Sequence, residues 1–96
     1  MTEDTCRVDV WLWRARFFKT RSMAARYVED GRVRLTRGGH ETRLDKSSRS
    51  VKVGDQLVFA LGGRLIAVTV EAMGERRGPA PEARTLYSAW RDAPSG

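Results

Sequence analysis

Residues 7–35 read RVDVWLWRARFFKTRSMAARYVEDGRVRL, and the spacing of apolar positions in this stretch predicts two short helices followed by a strand. The first helix is expected from about Val8 to Phe18, with Asp9 at its positive end, able to cap free N–H groups. Val8, Leu12 and Ala15 recur at i, i+4 and i+7, with Trp11 beside them, which makes one buried face. Val10, Trp13 and Phe17 form a second apolar line on roughly the opposite side. A helix apolar on two sides is covered on both or meets a partner. Arg14 and Arg16 flank the two faces. Thr20 or Ser22 can cap the second helix, in which Ala24, Tyr27 and Val28 share a face. Gly31 suits the left-handed position that ends a helix. Arg32-Val33-Arg34-Leu35 then alternates charged and apolar, as a strand with one wet face does.

Outward from this stretch, charge is the functional clue. The 96 residues carry 18 Lys and Arg against 12 Asp and Glu, a formal net charge of +6. From Arg14 to Lys52 there are 12 basic and 4 acidic residues, net +8, and the remainder is net −2. Charge gathered in one block suits a polyanion or an anionic surface. Fifteen of the cations are Arg, which holds phosphate bidentately and stacks on bases. Lys19, Thr20 and Arg21 cluster just before a helix N-terminus, where N–H groups and the helix dipole favour a phosphate. Arg16, Arg26, Arg32 and Arg34 extend the patch. A solvated helix surface explains any one of these arginines equally well; the segregation of the whole set favours a binding face.

Arg7-Val8-Asp9, Trp11-Leu12, Arg16, Lys19-Thr20-Arg21-Ser22, Ala24, Gly31, Val33 and Gly54-Asp55 together resemble the RNA-binding domain named after ribosomal small-subunit protein four, the S-four domain. The WLW run, the FFKTR junction and the tail ERRGPAPEARTLY resemble its branch of bacterial ribosome-associated heat-shock proteins. The likeness covers about Arg7 to Tyr87. It implies an α+β fold: two N-terminal helices packed on a small, mainly antiparallel sheet, the alpha-L motif, here with a C-terminal helix. It also implies binding of structured ribosomal RNA on the large ribosomal subunit, in the heat-shock or stalled-ribosome response. The expected phosphate contacts are Arg7, Arg16, Lys19, Arg21, Arg26, Lys46 and Arg49, with Thr20, Ser22 and Ser48 as hydroxyl or cap donors. S-four domains are often attached to catalytic domains, and none is recognisable here.

Beyond Leu35, Thr36 to Arg43 reads as a long, Gly-Gly-containing turn where the family usually has Asn-Gly. Lys46-Ser47-Ser48-Arg49 lacks the family's proline and reads as a polar loop or a phosphate contact. Leu57, Phe59 and Leu61 alternate with Gln56, Val58 and Ala60. Gly62-Gly63 is a two-residue turn into a returning strand from Arg64 to Met73. This hairpin carries little charge and reads as scaffold. Arg76-Arg77 is a phosphate contact or a surface pair. In the tail, Ala83, Leu86, Tyr87 and Trp90 recur at helical spacing behind Pro81. A helix over about 79–92 is expected to cover Val10, Trp13 and Phe17.

One domain is expected over 1–96, with a core at about 7–74 and the helical tail as an extension. A chain of this length buries roughly 60 to 70% of its unfolded surface, enough for a modest core without staples. The single cysteine, Cys6, near an N-terminus expected to fray, reads as a free thiol of a reducing cytoplasm. The opening MTEDTCR has no apolar run of a signal peptide, and no stretch approaches the roughly 18 apolar residues of a membrane span. His40, the only histidine, lacks ligand spacing around it. No nucleophile with a base, paired carboxylates or phosphate loop stands out, so neither catalysis nor a cofactor or small-molecule substrate is expected. A free monomer that binds RNA is the first reading. The alternatives are a protein-interaction module using the tryptophan-rich faces, or a DNA-binding protein.

Overall fold

A computed structural model describes residues 4–93, so the first residues of the acidic opening, Met1 to Glu3, lie outside the described residues. The elements in order are β1 (Thr5–Arg7), α1 (Val8–Arg14), α2 (Arg21–Glu29), β2 (Val33–Arg37), β3 (His40–Leu44), β4 (Ser50–Lys52), β5 (Gln56–Leu61), β6 (Arg64–Val70), α3 (Ala80–Ala83), a 3-10 turn (Arg84–Leu86) and β7 (Tyr87–Ala89). Five strands form one antiparallel sheet in the order β3-β2-β5-β6-β7, and β1 pairs with β4 as a separate ribbon. This is the α+β architecture expected.

The first helix is shorter than its apolar pattern. It stops at Arg14, and Arg16 turns to φ 67, a left-handed conformation usually left to glycine. The Phe17 amide reaches back to the Leu12 carbonyl and the Arg16 amide to that of Trp13, so two end carbonyls are satisfied by a Schellman turn. The reversal aims Phe17 and Phe18 back at the core. Their rings pack on Phe59 and Tyr27, with centroids 5.2 and 5.1 Å apart. The second helix follows its sequence signals: Thr20 Oγ1 accepts from the Met23 amide at 3.1 Å, and Gly31 takes φ 75 beyond the last turn.

Val8, Trp11, Leu12, Ala24 and Val28 from the helices meet Val33, Leu35, Leu57, Phe59, Val68 and Val70 from the sheet, all buried. The stretch read as a long turn is instead a tight hairpin: Thr36 pairs with Glu41 and Arg37 with His40, and only Gly38-Gly39 connect them. Both glycines have positive φ, which matches the right-handed twist of the strands, so the pairing runs on to the turn. Gly62-Gly63 makes the expected second hairpin. Its return strand ends at Val70 rather than Met73, where the chain leaves the sheet.

The tail differs most from its pattern. A C-terminal helix is present but covers only Ala80–Ala83; the chain then straightens, and β7 pairs Tyr87 with Val70 and Ser88 with Thr69. Pairing with the free edge of β6 satisfies main-chain groups on both strands, which a continued helix would not do for β6. Ala83 and Leu86 are buried as the stripe implied, and Tyr87 stacks against Phe17 at 4.8 Å. So the tail does cover Phe17, by a strand. Cys6, expected in a frayed end, sits half-buried in β1 opposite Val51.

Candidate nucleic-acid interface

Two groups of cations form around the helices. The first is built on Asp9, which is 2% exposed. Its carboxylate accepts from Arg7 Nε and Nη2 at 3.1 and 3.0 Å and from the Val10 amide at 2.7 Å, and Arg21 Nε stands 3.8 Å away. Asp9 thus serves less as a helix cap than as an anchor for two guanidiniums. Arg7 and Arg21 remain 47% and 52% exposed, so the outer edges of both face solvent. The hydrogen bonds Arg7 donates to Asp9 and the charge of that carboxylate hold the Arg7 pKa above that of an ordinary arginine.

The N-terminal amides of α1 are capped from a distance. Val8 N donates to the Arg49 carbonyl at 2.7 Å and Asp9 N to the Ser47 carbonyl at 3.4 Å. Ser47 is buried, and its hydroxyl donates to Glu29 Oε2 at 2.7 Å, at the end of α2. The loop 46–49 is thereby pinned to both helices. Lys46, Ser48 and Arg49 remain exposed beside Arg7, whose main chain pairs with Ser50. These residues, thirty and more positions downstream of α1, join the Asp9 group only through the fold.

Lys19, Thr20 and Ser22 are exposed at the entry to α2, and Arg26 is exposed one turn further on. Neither Lys19 nor Arg26 has an ion-pair or hydrogen-bond partner among the described residues. Thr20 is the cap found, not Ser22, and its hydroxyl keeps its own proton to donate.

The second group lies at the other end of α1, where Arg14 and Arg77 are half-buried and Arg16 is exposed. Arg14 Nη1 donates to the Gly74 carbonyl at 2.9 Å, and its Nε is buried without a partner. Arg16 Nε donates to the Gly78 carbonyl at 2.6 Å. Arg77 Nε donates to the Trp13 carbonyl at 3.2 Å and its Nη2 to that of Phe18 at 3.5 Å. Trp11 adds an indole bond of 2.8 Å to the Ala72 carbonyl. Residues 72–78 form a strap across α1, stitched down by these side chains. Arg16 is thus tied to the strap through Nε, and Arg77 acts as a cap.

Further arginines are engaged in the sheet. Arg37 holds the buried Asp55 carboxylate at 2.8 and 2.7 Å, while Asp55 also takes the Lys52 amide at 2.9 Å. The Gly54-Asp55 turn thus carries an anchor that the turn signal alone did not reveal. Arg34 pairs with Glu41 at 3.7 Å, and Arg32 lies over the Tyr27 ring at 5.4 Å. Of the tryptophans, Trp11 is fully buried, and Trp13 and Trp90 are half-buried. Among the described residues no group of three His, Cys, Asp or Glu could hold a metal ion, and no helix is long and apolar enough to cross a membrane.

Residues 6–35 match the family model described as the S4 domain. The chain is 38% identical over 87 residues to a heat shock protein 15 homolog of Haemophilus influenzae, covering 91% of this chain and 63% of that protein. With heat shock protein 15 of Escherichia coli it shares 38% identity over 81 residues, or 57% of that protein. The chain thus spans about three-fifths of these relatives. An RQC P-site tRNA stabilizing factor of Halalkalibacterium halodurans is 33% identical over 88 residues, 92% of this chain and 93% of that protein. The structure of Vibrio cholerae heat shock protein 15, described as trimeric, aligns with TM-score 0.80 at 38% identity, covering 92% of this chain and 84% of that one.

Proposed function

The chain belongs to the S4-domain family that includes heat shock protein 15, and from this premise we propose that it is a non-catalytic protein that binds structured RNA on the ribosome. The observation that carries the reading is the outward-facing cation group around the buried Asp9 and the docked 46–49 loop. Arg7, Lys19, Arg21, Arg26, Lys46 and Arg49 hold phosphates, and Thr20, Ser22 and Ser48 add hydroxyl donors. Arg16 serves the strap instead. Asp9 fixes two guanidiniums before RNA arrives, which lowers the ordering cost of binding. Phosphate contacts set position and salt-dependent affinity.

The ribosomal setting draws support from the relatives: several bear a heat-shock name, and one is named for stabilizing a P-site tRNA in RQC. The target within it is the large subunit, and the role belongs to the heat-shock or stalled-ribosome response. The chain acts as a monomer in the cytoplasm when free. RNA is preferred to DNA because family membership adds to a charge pattern that suits either.

The test is sedimentation of a tagged copy from cell lysate through sucrose at low and raised salt. The expected result is co-migration with the large subunit, weakened by salt and by the double substitution Lys19→Ala/Arg21→Ala. Protein confined to the top fractions at both salts, in stressed and unstressed cells, would overturn the ribosomal reading.

A further inference from the structure

Next to Lys19 and Arg26 lies an open cleft of about 630 Å³ between α2 and the β5–β6 turn. That volume falls within the roughly 300–1,000 Å³ of small-ligand sites. Its floor is apolar and aromatic: Phe18, Tyr27 and Leu61. Met23, Arg26, Tyr27 and Asp30 recur at i, i+3, i+4 and i+7, so one side of α2 forms a wall. Met23 is 52% exposed there, a large apolar side chain that the fold leaves uncovered.

We propose that this cleft receives one unstacked RNA base, with the adjoining phosphate held by Lys19 and Arg26. The inference rests on the RNA-binding reading above and adds a base site to it. Tyr27 is the central group. Arg32 lies over its ring at 5.4 Å, and Phe18 packs against it at 5.1 Å and 52°, so the ring is braced while it lines the cleft. Single-stranded and bulged RNA is recognised by such stacking on aromatic rings. The rim decides the occupant. Lys19 and Arg26 have no partner among the described residues, and an apolar peptide would cover two cations without pairing them. A nucleotide brings both the flat apolar ring and the anion. Asp30 at the rim disfavours a second phosphate and offers an acceptor to a base amino group.

Three versions of one RNA hairpin test this with the full chain: one bulged 2-aminopurine, the same bulge without a base, and a fully paired stem. Stacking on aromatic side chains strengthens binding by about 5- to 150-fold per base. The bulged base is expected to bind tighter than the baseless bulge by a factor in that range, with quenched 2-aminopurine emission. Tyr27→Leu is expected to abolish the ratio while the paired stem still binds. Met23→Glu, at an exposed position, should collapse the same ratio in a chain whose core is untouched. Equal binding of the bulged and baseless hairpins overturns the base site and leaves phosphate binding standing. A bulge preference that survives both substitutions puts the base elsewhere and also overturns it. Failure to bind any of the three overturns the RNA reading together with the site.

Discussion

At one end of α1, Arg7 and Arg21 converge on the Asp9 carboxylate; at the other, Arg14, Arg16 and Arg77 donate to main-chain carbonyls. The two ends draw on the same residue type, but the partners differ, and that decides what the arginines can do. A guanidinium held by a buried carboxylate is oriented on one edge and leaves the other to solvent. A guanidinium held by helix-end and strap carbonyls serves first as a cap and a clamp. Net charge therefore overstates the binding face: some of the cations that make this chain basic hold the fold together.

Four substitutions would break or sharpen that contrast. The largest effect is expected on the clamped end. Trp11→Ala removes a fully buried indole and its bond to the strap, and should cost about 3–5 kcal/mol in urea unfolding. Arg77→Ala should cost about 1–2 kcal/mol by removing its bonds to the carbonyls of Trp13, which keeps the Arg16 amide, and of Phe18, with little change in RNA affinity. Arg49→Ala removes an exposed side chain but keeps its capping carbonyl. Stability should hold within about 0.5 kcal/mol, while the salt slope of RNA binding falls by about one contact. The smallest effect concerns Cys6. Burial pushes its thiol pKa up, against weaker lowering by the nearby Arg14. The neutral thiol is thus favoured in the fold. Its contribution is complete below the pKa of an ordinary thiol and fades as pH rises through the raised folded value. Cys6→Ser should flatten the alkaline side of a stability–pH curve.

The sequence made some of this arrangement legible and hid the rest for physical reasons. Thr20 and Gly31 announce α2 because cap chemistry is local. The Val8, Trp11, Leu12 and Ala15 face and the Gly62-Gly63 hairpin are likewise readable from periodicity. The end of α1 is not, since Arg16 adopts a glycine-like conformation and the apolar pattern continues past it. The tail stripe fits a helix as well as a mixed turn and strand, and only the unpaired edge of β6 selects the strand. In the binding face, Lys19, Arg21 and Arg26 are visible as a run. The Arg21 arm of the Asp9 anchor and the capping by residues 47 and 49 depend on contacts between separate segments. The same is true of Arg16 and Arg77, whose carbonyl partners lie about sixty residues away in the chain.

The most direct test compares two double substitutions, Lys19→Ala/Arg21→Ala and Arg16→Ala/Arg77→Ala. Binding to ribosomal RNA is measured over a salt series at a temperature where both variants are folded by circular dichroism. The first pair is expected to lower the slope of log K against log salt by about two and leave the unfolding midpoint nearly unchanged. The second pair is expected to lower the midpoint and keep the slope. A slope lost equally in both, or lost only with Arg16 and Arg77, would contradict the division of labour between the two ends of α1.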